Sequence, residues 1–170
     1  MRHVSKNQIS LAGEFAVLSQ LALRGYDANL TLGHTKNVDI LVSDSGSGRM
    51  IKLEVKTKFK STKSQGGSPK LFGNYLSSWV MGAKHEKIKD PNLFYCFVNI
   101  SKDAKIVRFF IVPSRIVADY VRKQHEIWLK ARKSHVDTSM RTFRIGIEKE
   151  KYPILTPTQE KYENNWDFKK

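Results

Sequence analysis

The apolar positions change period along the chain, and those changes divide it into elements. Leu11, Phe15, Leu18 and Ala22 recur at helical spacing, which predicts a helix from about Ser10 to Arg24 with that stripe facing a core. Gly25 supplies a left-handed stop, and Glu14 falls in the N-terminal turn. The short mixed segment Tyr26 to Thr31 reads as an edge strand. Val38 to Ser43 and Met50 to Lys58 are rich in Val, Ile and Leu and flank Asp44-Ser-Gly-Ser-Gly48, a turn composition, so a hairpin is expected. Residues 59–74 carry lysines among Gly, Ser and Pro with no sustained apolar period, and read as a basic loop.

Tyr75 to Lys87, around Trp79, reads as a short helix or an irregular segment. Leu93 to Ile100, LFYCFVNI, is continuously apolar, the signature of a strand buried on both faces. Ile106 to Val112 reads as the next strand, and Pro113 and Ser114 open a helix whose Val117, Tyr120, Val121 and Trp128 face one way. RTFRIGI suggests a late strand, and an extension follows from about residue 150. This order predicts an α/β (α+β) fold, helices flanking one central sheet, in a single domain over residues 1–170.

Charge narrows the partners. Thirty basic residues against 16 acidic ones give a formal net charge of +14 spread over the whole chain, a field that attracts polyanions. No apolar run approaches the roughly 20 residues of a spanning helix, and the start MRHVSKNQIS lacks the apolar centre of a signal peptide, so a cytoplasmic protein without a membrane partner is expected. The lone cysteine, Cys96, excludes a disulfide framework, and the five scattered histidines lack the spacing of a zinc site.

The stretch from Asn37 to Lys58 places charged groups where a buried hairpin should be apolar. Side chains alternate along a strand, so Lys52, Glu54, Lys56 and Lys58 share one face while Ile51, Leu53, Val55 and Thr57 share the other. Asp39 interrupts the apolar run Val38 to Val42. If Asp44 pairs with Arg49 across a four-residue loop, facing indices sum to 93 and Asp39 faces Glu54. A loop one residue longer or shorter would separate them unless a bulge restored the register. Two carboxylates beside an ammonium suit a hard cation such as Mg²⁺, with Mn²⁺ as a substitute, and a substrate phosphate. Lys56 would stabilise charge on that phosphate or accept a proton from the attacking water. Each charge also has an ordinary reading: cross-strand pairing for Asp39 and Glu54, a solvated helix carboxylate for Glu14.

The pattern of an aspartate, fourteen residues and then E-V-K, preceded by a helix bearing a glutamate in G-E-F-A, resembles the PD-(D/E)xK nuclease superfamily. That superfamily includes restriction endonucleases and Holliday-junction resolvases. The resemblance implies a restriction-endonuclease-like sheet and a Mg²⁺-dependent endodeoxyribonuclease, a phosphodiester hydrolase. It also implies Asp39, Glu54, Lys56 and Glu14 as catalytic residues, with Asp39, Glu54, the carbonyl of Val55 and Glu14 as metal ligands. Val38 stands where the nominal motif has proline. Lys58, Lys60, Lys63 and Lys70 are the candidate phosphate contacts on DNA, and a homodimer is the assembly such enzymes commonly adopt. The rival expectation is a non-catalytic nucleic-acid-binding protein that keeps the fold. No base-reading module is recognisable, so restriction, repair, junction resolution and mobile-element roles stay open.

Overall fold

A computed structural model of the chain describes residues 3–31, 37–59, 69–147 and 153–168. Helix α1 (Lys6–Ala22) starts four residues earlier than the apolar pattern predicts, because Ser5 and Gln8 form a capping box: each side chain bonds the other's backbone N–H. Glu14 therefore lies in mid-helix, not in the first turn. Gly25 has φ 79°, the left-handed stop expected of it.

The buried stripe of α1 is also not the expected one. Gly13, Val17 and Leu21 face the sheet, while Leu11 and Phe15 are 48% and 53% exposed. Gly13 decides this. Without a side chain it lets α1 settle onto Thr57, so closely that a Cβ at position 13 would lie 1.8 Å from Thr57 Oγ1. A stripe led by Leu11 and Phe15 would hold the helix farther out.

Strands β1 (Asp27–Leu30), β2 (Ile40–Asp44) and β3 (Arg49–Phe59) form an antiparallel meander. The β2–β3 register pairs Asp44 with Arg49 and Ile40 with Leu53, the pairing that the four-residue turn predicts. Asp44 builds that turn: its carboxylate accepts from Gly46 N–H at 3.1 Å and from the Ser47 hydroxyl, and Gly48 takes φ 67°. β3 then pairs in parallel with β5 (Leu93–Ile100), and β5 antiparallel with β6 (Val107–Pro113), giving the mixed sheet order β1-β2-β3-β5-β6.

All eight residues of β5 are buried, as the continuous apolar run requires. Phe94, Cys96, Val98 and Ile100 join Val17, Leu21, Val55, Trp166 and Phe168 in the core beneath α1. Leu93, Tyr95 and Phe97 join the opposite core with Trp79, Phe143 and residues of α3 (Ser114–Ala131). On that second face lies an element that the sequence pattern misassigns. Tyr75–Gly82 is a strand, β4, preceded by the single turn α2 (Pro69–Phe72) and followed by one turn of 3₁₀ helix, Ala83–Lys87. It pairs with β7 (Met140–Gly146) as a separate two-stranded ribbon, burying Trp79, Met81, Phe143 and Ile145 against the main sheet. A last turn, α4 (Gln159–Tyr162), brings Glu163 to Arg108 at 2.7 Å and seats Trp166 and Phe168. Among the described residues no helix is long and apolar enough to cross a membrane.

Candidate active site

The site forms where β3 outruns its partner. The β2–β3 ladder ends at Ile40 and Leu53, so from Glu54 onward β3 keeps only β5 beside it. Asp39 stands at that break. Its N–H bonds the Leu53 carbonyl at 2.8 Å, and its carboxylate Oδ2 accepts the Val55 N–H at 2.7 Å, replacing the carbonyl of a departed strand. The carboxylate thus straddles Glu54, on the edge where sequence and turn length put it. Burial raises the Asp39 pKa above the ordinary carboxylate value; the Val55 bond and Lys56 oppose that shift, and the charges of Glu14 and Glu54 add to it.

Glu54 is 3% exposed, although its strand position is polar. Lys56, two residues on along the same face, sits with Nζ 2.6 Å from Glu54 Oε1. The other oxygen, Oε2, is buried and lacks a hydrogen-bond partner among the described residues. A buried carboxylate oxygen favours a cation or donor beside it. Glu14 reaches the group from α1, where the Ser10 hydroxyl donates to its Oε1 at 3.0 Å. Its charge acts on Asp39 because Gly13 lets the helix lie so close to Thr57. The structure therefore brings Asp39, Glu54 and Lys56 together around Val55, with Glu14 on α1 near enough for its charge to act on Asp39.

Two further residues reach Glu54 and were not identified from the sequence. Tyr95 is its parallel neighbour on β5, and His85 hangs from the 3₁₀ turn after β4. The Tyr95 hydroxyl lies 2.7 Å from His85 Nδ1, and Nδ1 lies 3.7 Å from Glu54 Oε2. Burial, reinforced by Lys56 and Lys84 and opposed by Glu54, lowers the His85 pKa from 6.5 to about 4, so the ring is neutral at pH 7. Burial and the Glu54 carboxylate push the Tyr95 pKa up, keeping it a hydroxyl donor. The one available signal was that Tyr95 is the only residue of the apolar run Leu93–Val98 with a hydroxyl-bearing tip. Its pairing with Glu54 depends on a parallel register that a sequence does not state.

The candidate DNA-contact lysines divide. Lys58 lies on β3, in the strand expected to contain it, with Nζ donating to the Ser78 carbonyl at 2.9 Å. Lys70 falls in α2, not in an irregular loop. Lys60 and Lys63 lie outside the described residues. Trp79 and Trp166 are core residues, and Trp128 stacks on His135 at 4.0 Å between ring centroids.

No protein-family model matches the chain, and no curated protein matches it in sequence. Among solved structures it is similar to that of a bacterial homing endonuclease, with a TM-score of 0.50 and 14% identity, over 96% of this chain and 90% of the other. At that identity the likeness is one of fold. It matches the mixed α+β arrangement, a mixed central sheet flanked by helices, with a nuclease-like architecture.

Proposed function

We propose that the chain is a metal-dependent DNA endonuclease of the PD-(D/E)xK type. The observation that carries this reading is the meeting of Asp39, Glu54 and Lys56 at the uncovered edge of β3, with Glu14 delivered from α1. The likeness in fold to a homing endonuclease and the net charge of +14 support it.

The donor set suits a hard divalent cation. It is all oxygen, and burial first, then the charges of Glu14 and Glu54, raise the pKa of Asp39 against the opposing Val55 bond and Lys56. Among the described residues no three His, Cys, Asp or Glu side chains stand close enough together to hold an ion by themselves. In the proposed reading Asp39, Glu54 and the Val55 carbonyl would be the ligands, with Glu14 accessory. Mg²⁺ or Mn²⁺ bound there supplies a water of lowered pKa and neutralises charge building on the phosphate.

The protein's own groups do the rest. Lys56, held by Glu54, places an ammonium beside the phosphate. The Asp39 carboxylate orients the backbone at Val55 through its N–H. Tyr95 and His85 close the inner side of Glu54 to bulk water.

One observation favours the non-catalytic reading. The 2.6 Å Lys56–Glu54 pair also satisfies two charges structurally, as a DNA-binding protein without cleavage would require. Incubation with duplex DNA in Mg²⁺ or Mn²⁺ separates the two. Cleavage should stop in EDTA and fall by about 10²-fold or more in Asp39→Ala and Lys56→Ala. Salt-sensitive binding with no cleavage in either metal would select the non-catalytic protein.

A further inference from the structure

The β4–β7 ribbon has two different faces. Its inner face carries Trp79, Met81, Arg141, Phe143 and Ile145, all buried. Its outer face carries Ser78, Val80 and Gly82 on β4, opposite Arg144, Thr142 and Met140 on β7. Two apolar side chains stand out there, Val80 at 66% exposure and Met140 at 61%. They are diagonal neighbours, since Val80 pairs with Thr142 and Gly82 with Met140. Arg144 is already engaged, its guanidinium over the rings of Phe72 and Tyr75 at 4.7 and 5.5 Å. The presented set is therefore Ser78, Val80, Met140 and Thr142.

The ribbon is anchored to the candidate site at one end. β4 runs directly into the 3₁₀ turn that puts His85 against Glu54. Glu86 of that turn bonds Arg141 at the start of β7, Ala83 N–H bonds the Ser139 carbonyl at 2.8 Å, and Lys58 of β3 bonds the Ser78 carbonyl. Exposed cations stand on the turn itself, Lys84 and Lys87. Of the nearby acidic groups, Glu86 pairs with Arg141, and Asp137 lies 3.5 Å from that guanidinium and 2.7 Å from His125 Nε2.

We infer that the outer face of the β4–β7 ribbon enters the major groove of B-form duplex DNA and reads bases beside the cleaved bond, with Val80 and Met140 against thymine methyl groups. The inference rests on the reading of the chain as a DNA nuclease. The major groove admits a two-stranded ribbon, and only there do T methyls meet apolar side chains. The narrow major groove of A-form RNA does not admit it. A duplex whose backbone lies on Lys56 and the cations above would turn an adjacent groove to this face. Ser78 to Gly82 spans about 14 Å, about four base pairs. Ser78 and Thr142 add hydroxyls that donate or accept.

The test is binding selection from a randomised duplex library, with the full chain in Ca²⁺ buffer, comparing wild type with Val80→Ser, Met140→Gln and the double variant. Both side chains are exposed, so folding should survive, and a thermal melt on each protein checks it. Wild type should select thymine in a window of about four base pairs. The variants should lose that preference while keeping the wild-type salt dependence, which the phosphate contacts set. Replacing thymine by uracil in the window should weaken wild-type binding about tenfold and leave the double variant unchanged. Variants that select the wild-type sequence, a wild type that selects none, or one that prefers RNA duplex overturns the inference. Cleavage in Mg²⁺ or Mn²⁺ is scored separately. Ribbon-dependent selection without cleavage removes the nuclease reading alone, and cleavage with ribbon-independent selection removes the ribbon alone.

Discussion

Replacing Gly13 by alanine should destabilise the protein, although helix propensity taken alone favours the change by about 1 kcal/mol. A Cβ at position 13 lies 1.8 Å from Thr57 Oγ1 and 2.8 Å from both Thr57 Cβ and Cγ2. Carbon atoms rest at roughly 3.5–4.0 Å. Rotating Thr57 moves Oγ1 and Cγ2 but not Cβ, so α1 and β3 must also part by roughly an ångström. Overpacking of this kind costs about 1–3 kcal/mol, and the separation loosens Val17 and Leu21 against Val55. Because Thr57 Cβ itself lies at 2.8 Å, the cost falls in the upper part of that range, about 2–3 kcal/mol, and after the propensity gain a net loss of about 1–2 kcal/mol remains, or roughly 2–8 °C in Tm for a chain of this length.

Thr57→Ala should cost little by itself, because its hydroxyl is buried without a partner. Combined with Gly13→Ala it should recover about 1 kcal/mol relative to the sum of the two. Urea denaturation of the four proteins in EDTA measures the cycle. The reasoning is refuted if Gly13→Ala equals or exceeds wild type in stability, or if the two changes are additive. Because Glu14 follows Gly13 and Lys56 precedes Thr57, any cleavage activity should fall in Gly13→Ala and partly return in the double variant.

Asp39→Asn should separate stability from function. The amide oxygen can still accept the Val55 N–H, now bonded at 2.7 Å, while the charge disappears. Since the folded-state pKa of Asp39 is raised, the ionised carboxylate disfavours the fold once pH exceeds that value. At pH 8 in EDTA the variant should therefore melt higher than wild type, and it should not cleave; a lower Tm would contradict the electrostatic account. His85 has the opposite sign. Its folded pKa is depressed from 6.5 to about 4, so the stability it contributes is complete above pH 6.5 and lost as pH falls through about 4. In metal-free buffer, wild type should lose up to about 3 kcal/mol between pH 7 and pH 4 through this group. His85→Gln should show a flatter profile in denaturant titrations, and equal slopes would exclude His85 as the source.

The hairpin and much of its charge arrangement were legible from local order alone. Turn composition set a four-residue loop, the loop set the register, and strand alternation then put Glu54 and Lys56 on one face with Asp39 at their level. The buried strand β5 was equally plain, because a strand covered on both faces carries no polar positions. These features depend on contacts within about twenty residues or on a period the chain itself displays. What surrounds Glu54 depends on contacts of another kind. The stripe of α1 that faces the sheet was decided by a helix settling through Gly13 onto Thr57, 44 residues away in sequence. β4 read as a short helix or an irregular segment because its partner, β7, begins 58 residues after β4 ends. His85 and Tyr95 reach Glu54 only through a parallel pairing and a 3₁₀ turn. Short-range pattern determined where the carboxylates and the lysine could stand. Tertiary packing alone decided that Glu54 is buried, that Glu14 reaches Asp39, and that a ribbon projects beside them, since those outcomes follow from which distant surfaces exclude water together.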